Sequence, residues 1–358
     1  MLAANRGVSA LVLLAGGVIS DRLPRNLVLV GASFVQGAAQ GVTAALVLGG
    51  RASVAWLVVL QAAYGVGDGL VVPAEIGLVP QTVSRARLQQ ANVLQGLTRD
   101  ATRVLGPVIG AAIVVAASPG AALAADAVSF VLCALILLRI RISPRVGGPE
   151  RETFWRELRA GWREFTARTW LWSAVLLYGL GNFSWAAWAV LGPAVAKADL
   201  GGAGAWGAIL AASGVGSVTG GFFALRFRPE RPLAASAAAA TLVALQFAAL
   251  AAAAPVWVIA GAAFVGGLAL SVHLALWFTV FQQQVPEHAQ SRVSAYDGLG
   301  SYVLIPLGFA IAGPVAAAVG VHATLWGAGA FDLACCLAVL ALPSVWGIRA
   351  APEAPAPV

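Results

Sequence analysis

The chain is too poor in charge to be a water-soluble protein. Of its 358 residues, 60% are hydrophobic and 10% are charged, and its mean hydropathy is +0.85, whereas soluble domains are about 45–50% apolar and about 25% charged. Its net charge of +7 comes from basic residues spread between apolar segments, a distribution typical of membrane topology. This composition excludes a nucleic-acid-binding protein and indicates that lipid covers most of the outer surface.

Eleven apolar segments are long enough to cross a bilayer, since a spanning helix needs about 20 residues. In chain order they are residues 4–20, 27–48, 54–78, 92–117, 120–140, 170–194, 204–226, 233–253, 256–281, 293–319 and 322–346. Short breaks with turn-forming residues separate most of them, and the one long polar stretch is 141–169. We therefore predict an all-α integral membrane protein with eleven transmembrane helices.

Arginines indicate which ends of these helices face the cytoplasm. They follow each odd-numbered segment, from Arg22 and Arg25 after the first to Arg349 after the eleventh, while the intervening loops hold only Arg51 and Lys197. Because cytoplasmic loops are enriched in Lys and Arg, the odd-numbered segments are predicted to end in the cytoplasm. We expect a multi-pass protein of the cell (plasma) membrane.

The long polar stretch, residues 141–169, separates two predicted bundles, residues 1–140 and 170–348, and a cytoplasmic tail follows at 349–358. Within it, apolar residues recur at spacings of three and four, with Arg and Glu between them: Trp155, Leu158, Trp162 and Phe165. This periodicity predicts an amphipathic helix at the cytoplasmic interface, with its apolar face toward lipid or toward the bundle. A simple linker is one interpretation of this helix, and a partner-binding helix is the alternative.

The two predicted bundles resemble each other in sequence. Residues 220–231, GGFFALRFRPER, align with residues 16–26, GGVISDRLPRN, at an offset of 204, and Leu225 takes the place of Asp21. Two further short matches occur in order at nearly the same offset. Together they predict duplicated halves, as in transporters that are built from repeats.

Three stretches carry a resemblance to the major facilitator superfamily of transporters. GGVISDRLPR at 16–25 is similar to the family's motif between its second and third spans. Residues 73–110 and 285–308 look most like the branch that contains enterobactin exporters and many bacterial drug-efflux proteins. The family has twelve spans in two six-helix bundles. Because the first segment here matches the family's second, the resemblance implies that two-bundle fold with eleven helices, lacking the first.

The motif at 16–25 combines close packing with charge. Gly16 and Gly17 allow two helix ends to approach closely, while Asp21, Arg22 and Arg25 stand where they can pair and bind helix termini from the other half. The resemblance implies that the motif is a latch, a conformational switch that biases the transporter toward one of its two access states. Membrane anchoring by positive charge alone is the alternative, although it explains only the arginines.

Ionisable residues within a span are costly and by default indicate function. The fourth segment holds Arg99, Asp100 and Arg103, and helical spacing lets Arg103 share a face with Arg99 and reach Asp100. We expect this group to lie on a proton and substrate pathway, where it holds an anionic part of the substrate or acts through a proton-sensitive Asp. A structural ion pair with a neighbouring helix is the alternative.

Acidic residues also occur in other spans. Asp68, between two glycines in the third segment, is the favoured site of protonation on the same pathway, and simple pairing with Arg103 is the alternative. Asp126 and Asp332 fall near predicted outer ends of their segments. There we expect them to be half-solvated caps.

A proline motif follows in the fourth segment. Gly106, Pro107 and Gly110 resemble part of the superfamily's exporter motif, which is incomplete here because Thr102 and Ala111 replace its flanking glycines. Pro107 removes a backbone hydrogen bond and permits bending, and the two glycines form a small-residue face for helix packing. The motif therefore favours export.

These features predict a secondary active transporter, a proton-coupled exporter of small organic molecules, drug-like or siderophore-like. It works as a monomer by alternating access, and its partners are the lipid bilayer, the substrate and protons, without nucleic acid. An uptake permease and a truncated, non-transporting membrane protein are the alternatives. No metal-binding, nucleotide-binding or catalytic constellation occurs in the sequence, so neither a cofactor nor an enzymatic activity is expected.

Overall fold

The structure, a computed structural model, describes residues 2–140 and 154–350 of the chain. Within these ranges, only the backbone is described at residues 2–4, 6, 10, 100, 103, 104, 107, 108, 111, 115, 154 and 203. Most of the predicted linker, residues 141–153, and most of the predicted tail, residues 351–358, lie outside the described residues.

The described chain contains only helices, turns and connecting segments. Its α-helices are, in order, α1 (Leu2–Arg22), α2 (Arg25–Leu48), α3 (Val54–Thr82), α4 (Leu88–Ala116), α5 (Pro119–Leu137), α6 (Phe154–Thr166), α7 (Thr169–Asp199), α8 (Ala203–Arg226), α9 (Pro232–Thr241), α10 (Ala244–Ala251), α11 (Val256–Gln284), α12 (Gln290–Tyr302), α13 (Ile305–Val319), α14 (Val321–Ala341) and α15 (Pro343–Trp346). A single 3-10 turn, Arg85–Arg87, precedes α4. The predicted all-α fold is confirmed.

Nine helical stretches in the described part of the chain are long and apolar enough to cross a membrane. They correspond to nine of the eleven predicted segments, and the first and fourth segments form α1, with 21 residues, and α4, with 29. Two of the nine stretches are interrupted, one between α9 and α10 and the other between α12 and α13. The count of eleven spans stays a prediction.

Local sequence sets several helix boundaries. Ser53 and Ser118 lie just before α3 and α5, and their hydroxyls accept hydrogen bonds from the backbone amides of Trp56, at 3.4 Å, and Ala121, at 3.1 Å. Serine is a favoured N-cap for this reason. Pro119 then occupies the first turn of α5, where a missing N–H leaves no intrahelical acceptor unpaired. The breaks between apolar segments thus carry side chains that satisfy free helix ends.

The described chain divides into two compact units, of which the first comprises residues 1–84, 103–167 and 284–299. Within this first unit, α1 packs against α3, and α2 packs against both α3 and α5. One core cluster is formed by Val28 and Leu29 of α2 with Ala74 and Leu78 of α3. Asp21, Arg25 and Asp68, which are discussed below, lie on α1, α2 and α3, respectively.

The second unit comprises residues 85–102, 168–283 and 300–358. Within it, α14 packs against α7, α9, α10, α13 and α15, so α14 contacts most of the helices that follow α6 in this unit. The core is rich in aromatic rings, since Trp188 of α7 lies 5.4 Å from Trp206 and 5.8 Å from Phe247, measured between ring centroids. Trp188 is buried by these contacts.

The amphipathic helix predicted for the linker is present as α6. It packs against α12 in the first unit, where the hydroxyl of Tyr296 donates to the carbonyl oxygen of Leu158 at 3.0 Å. The ring of Trp162 lies 5.4 Å from that of Tyr296. Phe165 is buried and Trp155 is exposed. One apolar face of α6 therefore contacts α12 within the first unit.

Candidate functional site

Asp21, at the C-terminal end of α1, accepts three hydrogen bonds. Its Oδ1 accepts from Nη2 of Arg25 at 3.0 Å, and its Oδ2 accepts from the backbone N–H of Arg292 at 3.1 Å and from Nε of Arg292 at 2.9 Å. Because α12 begins at Gln290, the N–H of Arg292 is a first-turn donor without an intrahelical acceptor. Asp21 therefore does for α12 what an N-cap carboxylate does for its own helix.

Arg25, the first residue of α2, is almost completely buried, with 1% of its surface exposed. Besides Asp21, its guanidinium donates to the backbone carbonyl oxygens of Gly77 and, at 2.6 Å, of Glu287. A buried guanidinium is tolerated only when its charge is paired and its donors are used. The contacts of Arg25 pair its charge with Asp21, use both terminal nitrogens of the guanidinium, and join three segments of the chain.

Glycines make this close approach possible. A Cβ built on Gly17 would lie 2.8 Å from the carbonyl oxygen of Ser291, and one on Gly16 would lie 2.6 Å from the carbonyl oxygen of Gly69. A Cβ on Gly77 would collide with the guanidinium of Arg25. Since two of these neighbours are backbone atoms that cannot rotate away, a larger residue at Gly16 or Gly17 would force the helices apart.

Arg22 extends the charged contacts to the amphipathic helix. Its Nε donates to Oε2 of Glu157 on α6 at 2.8 Å, in a pair more exposed than that of Asp21. We refer to Asp21, Arg22, Arg25 and Arg292 as the latch cluster. In this cluster, residues from the end of α1 and the start of α2 bind the start of α12 and one face of α6.

The second unit contains the repeated glycine pair in an equivalent environment. A Cβ on Gly220 would collide with the backbone of Leu268 on α11, and one on Gly221 would lie 2.6 Å from the side chain of Leu97 on α4. In the first unit, Gly16 meets α3 and Gly17 meets α12 in the same order. The two pairs therefore contact corresponding helices, which agrees with a duplicated sequence.

The carboxylate of the motif is not repeated in the second unit, whereas Arg226 matches Arg22. Leu225, which aligns with Asp21, packs in an apolar cluster with Val93 and Leu97. There the polar contact comes from Gln89 of α4, whose Nε2 donates to the carbonyl oxygens of Ala224 at 2.6 Å and Phe227 at 2.5 Å. The second copy thus holds its helices with an apolar cluster and a neutral amide.

Asp68 of α3 is a second polar centre in the first unit. Its Oδ2 accepts from Nδ2 of Asn5 at 3.2 Å, and its Oδ1 accepts from Nε2 of Gln36 at 2.9 Å. Both donors are uncharged amides from the neighbouring helices α1 and α2. They stabilise the carboxylate without neutralising its charge.

A cavity of about 520 Å³ opens beside Asp68. It is lined by Asn5, Ser9, Gln40, Gln61, Tyr64, Asp68, Val71 and Val72. Glycines on both sides of Asp68 bring the helices together here, because a Cβ on Gly67 would collide with Gln36 and one on Gly69 would lie 2.7 Å from the carbonyl oxygen of Ser9. The cavity can receive a small polar molecule within reach of the carboxylate.

The remaining predicted pathway residues are on α4. The side chain of Arg99 is exposed, and the side chains of Asp100, Arg103 and Pro107 lie outside the described residues. Pairing of Asp68 with Arg103 therefore stays a prediction. No described atom lies within 4 Å of a Cβ built on Gly106 or on Gly110, so the packing role of that motif also stays a prediction.

Several partners in these sites were not found from the sequence. The sequence indicates only that Arg292 belongs to the cytoplasmic charges, and it does not single out Asn5 or Gln36 as binding residues. Amides inside apolar segments are the signal that could have found the last two, because a buried amide needs a partner. Among the residues described, no group of three His, Cys, Asp or Glu could hold a metal ion.

Known proteins with this fold are membrane transporters. Solved structures include the human organic anion transporter MFSD10 (TETRAN), with a TM-score of 0.76, 18% identity and coverage of 94% of this chain and 82% of that one. A bacterial homologue of the iron transporter ferroportin in the outward-facing state has a TM-score of 0.73 and 18% identity, with coverage of 95% of this chain and 87% of that one. The E. coli fucose:proton symporter FucP has a TM-score of 0.72 and 13% identity, with coverage of 94% of this chain and 90% of that one. At these identities the likeness concerns the fold alone.

The sequence itself identifies the family. Residues 3–354 match the profile of the major-facilitator family described as transmembrane secretion effector, whereas no curated protein matches the chain. The match covers nearly the whole chain, including both the latch cluster and the Asp68 cavity. The chain therefore belongs to the major facilitator superfamily of membrane transporters, in the family of transmembrane secretion effectors.

Proposed function

We propose that this protein exports small organic molecules across the cell membrane in exchange for protons, as a monomer that works by alternating access. The observation that carries the proposal is Asp68, a carboxylate beside a cavity of about 520 Å³ whose hydrogen-bond donors among the described residues, Asn5 and Gln36, are neutral. Cavities of roughly 300–1,000 Å³ suit small ligands. The description of the family as secretion effectors supports export.

One carboxylate can couple two ligands because they exclude each other. The amides of Asn5 and Gln36 add no positive charge, and an uncompensated negative charge within a membrane span is costly. Asp68 is therefore expected to bind either a proton or a positively charged group of the substrate. When one of them binds, the other leaves, and this competition produces exchange.

The lining of the cavity agrees with a small, amphipathic organic cation. Gln61 and Ser9 offer polar contacts near the carboxylate, Val71 and Val72 offer apolar contact, and Tyr64 offers an aromatic face. An aromatic face attracts an organic cation. The combination fits a protonated amine with an apolar body, which is a common form of drug-like molecules.

The latch cluster is proposed to hold one of the two access states. Its central charges are buried, since 5% of the side chain of Asp21 and 1% of that of Arg25 are exposed. Separating α1 from α12 would break the largely buried pair of Asp21 with Arg292 and the contact of Arg25 with the carbonyl oxygen of Glu287, which is strongly unfavourable. The transport cycle must therefore supply compensating contacts in the other state.

Uptake is the second candidate function, because the cavity also offers neutral polar groups. Asn5, Ser9 and Gln40 could hydrogen-bond an uncharged, hydroxyl-rich substrate that binds together with a proton on Asp68. The two functions differ in direction. In uptake, a proton gradient would drive the substrate in the same direction as the protons, whereas in export the two move in opposite directions.

The test uses purified protein in lipid vesicles with an imposed pH gradient and a fluorescent organic amine as the substrate. The amine should move against the proton flow. The Asp68→Asn variant should fold and insert like the parent protein but should not move the amine. Asp199→Asn is the matched control, because Asp199 is partly exposed near the end of α7, where its carboxylate lies 3.5 Å from His322. This variant should transport the amine like the parent protein.

Two results would overturn the proposal. Movement of the substrate in the same direction as the protons would replace export by uptake. Proton-driven transport that is unchanged in Asp68→Asn would remove Asp68 from the coupling site. A protein that is folded and inserted but moves none of a panel of amines and sugars under either gradient would favour the non-transporting alternative.

A further inference from the structure

A second carboxylate lies at the middle of a helix in the second unit. Asp332 is the twelfth of the 21 residues of α14, so helical rise places it roughly 16 Å from one end of the helix and roughly 14 Å from the other. The sequence suggested a half-solvated cap near an outer end. The structure corrects this position, because α14 has eleven residues before Asp332 and nine after it.

The carboxyl group of Asp332 faces α7 and has few polar partners. A Cβ built on Gly181 would lie 2.9 Å from Oδ1 of Asp332, so the absence of a side chain at Gly181 makes room for the carboxyl. Oδ2 is buried and accepts no hydrogen bond from the described residues. Tyr178 precedes Gly181 by three residues and shares its face of α7, and its buried hydroxyl likewise has no described hydrogen-bond partner.

Among the residues that the structure describes, no cationic side chain stands opposite Asp332. The helices that pack against α14 are α7, α9, α10, α13 and α15, and among them only α7 contains charged residues, Lys197 and Asp199. Lys197 is sixteen residues beyond Gly181, which corresponds to roughly 24 Å along the helix. It cannot neutralise a carboxylate at the middle of α14.

The other titratable groups near Asp332 are neutral in their ordinary forms. Cys335 and Cys336 lie on its own helix, and Tyr178 lies on α7. His273 of α11 packs on Tyr178, with ring centroids 4.8 Å apart, and its Nδ1 is hydrogen-bonded to Ser236 at 2.9 Å. The fifth group, His322, lies at the start of α14, where it pairs with Asp199 at 3.5 Å.

We infer that Asp332 is a proton-binding site, which carries its proton in the conformation of this structure. An ionised carboxylate that is buried in a span without a cation or sufficient donors is much less favourable than the neutral acid. Release requires that the O–H bond breaks and that water takes the proton. The proton is therefore released only when α7 and α14 move enough to admit water to the carboxyl group.

This inference rests on the geometry of the second unit and not on the proposed export reaction. Asp68 lies beside a cavity and accepts hydrogen bonds from two amides, whereas Oδ2 of Asp332 is buried and accepts none from the described residues. The two carboxylates therefore have different tasks. Asp68 exchanges ligands, and Asp332 makes the packing of α7 against α14 depend on a proton.

Infrared spectroscopy can test the inference without any substrate. The protein is labelled with ¹³C-aspartate and placed in lipid vesicles at neutral pH, where the absorption of protonated aspartic acids is recorded. Asp332→Asn should lose one component of that absorption. Asp126→Asn is the control, because Oδ2 of Asp126 accepts from Gln40 at 2.8 Å, and it should retain the component that Asp332→Asn loses.

A second variant covers the case in which Asp332→Asn fails to fold. Gly181→Ala keeps the carboxyl group but places a methyl group against Oδ1, so the same component should shift in frequency. An Asp332→Asn spectrum identical to that of the parent, or an unshifted component in folded Gly181→Ala, would overturn the inference. Disappearance of the component when sodium ions are added would also overturn it, because Asp332 would then bind a metal cation.

Discussion

Replacing Asp21 by Asn should open the contact between α1 and α12. The Asn side chain has nearly the same shape, but it is uncharged and one of its terminal atoms is a donor, so it cannot accept the three hydrogen bonds that Asp21 accepts. Two of these come from Arg292 on α12, and hydrogen bonds to charged groups contribute about 1.5–3 kcal/mol each. We expect a loss of about 3 kcal/mol, which changes the ratio of closed to open contacts on the order of a hundredfold.

The change can be measured as a distance within the first unit. Spin labels attached at Leu23, just after α1, and at His288, just before α12, would both be at exposed positions. Pulsed electron paramagnetic resonance should give one short distance population in the parent. In Asp21→Asn, a second and longer population should appear and should account for a large fraction of the molecules.

The control removes a charge from the same cluster without opening its centre. Glu157→Gln breaks only the pair with Arg22, whose side chain is 33% exposed, and such pairs contribute about 0–1 kcal/mol. Its distance distribution should match that of the parent. A parental distribution in inserted Asp21→Asn, or an equal effect of Glu157→Gln, would refute the reasoning from buried charge.

Two further predictions concern close packing and topology. Gly17→Ala should lengthen the same spin-label distance, because its Cβ would lie 2.8 Å from a backbone carbonyl of α12, whereas Gly106→Ala should leave it unchanged because no described atom lies within 4 Å. Equal spin-label distances in the two variants would argue against the role of Gly17 in the close approach of α1 and α12. In intact cells, a membrane-impermeant thiol reagent should label Leu200→Cys and not Gly148→Cys, and the reverse pattern would invert the predicted orientation.

The latch contacts were open to sequence reasoning because they depend on position along a helix. Asp21 and Arg25 follow the glycine pair at the point where an apolar segment ends, so their place at helix ends could be inferred from the order of residues. The partner was harder to infer. Arg292 lies 271 residues after Asp21, and only the repeat suggested that this part of the chain would meet the motif.

The environment of Asp68 could not be predicted in the same way. Its donors, Asn5 and Gln36, come from two other helices, and their contact depends on how each helix is rotated about its own axis. Apolar residues all around a spanning helix give little periodicity from which to read that rotation. The sequence could therefore place Asp68 in a span but could not say which side chains face it.

Helix ends inside apolar stretches were also missed. The segment predicted at 233–253 divides at Leu242 and Val243, between α9 and α10, where no glycine or proline marks the interruption. At the other end of the chain, a turn-forming residue was present but overlooked, because Pro343 lies within the segment predicted at 322–346. Because α14 ends before this proline, Asp332 is the twelfth residue of a 21-residue helix and lies at its middle.

The unequal copies of the glycine motif have a consequence for mutational tolerance. In the first unit, the polar contact requires a carboxylate at position 21, because the donors on α12 and α2 are fixed. In the second unit, the acceptors are backbone carbonyls of α8 that every residue possesses, and the specific side chain is Gln89. Position 225 can therefore vary among apolar residues over evolutionary time. The polar contact thus depends on a side chain of the motif in the first unit and on a side chain of the partner helix in the second.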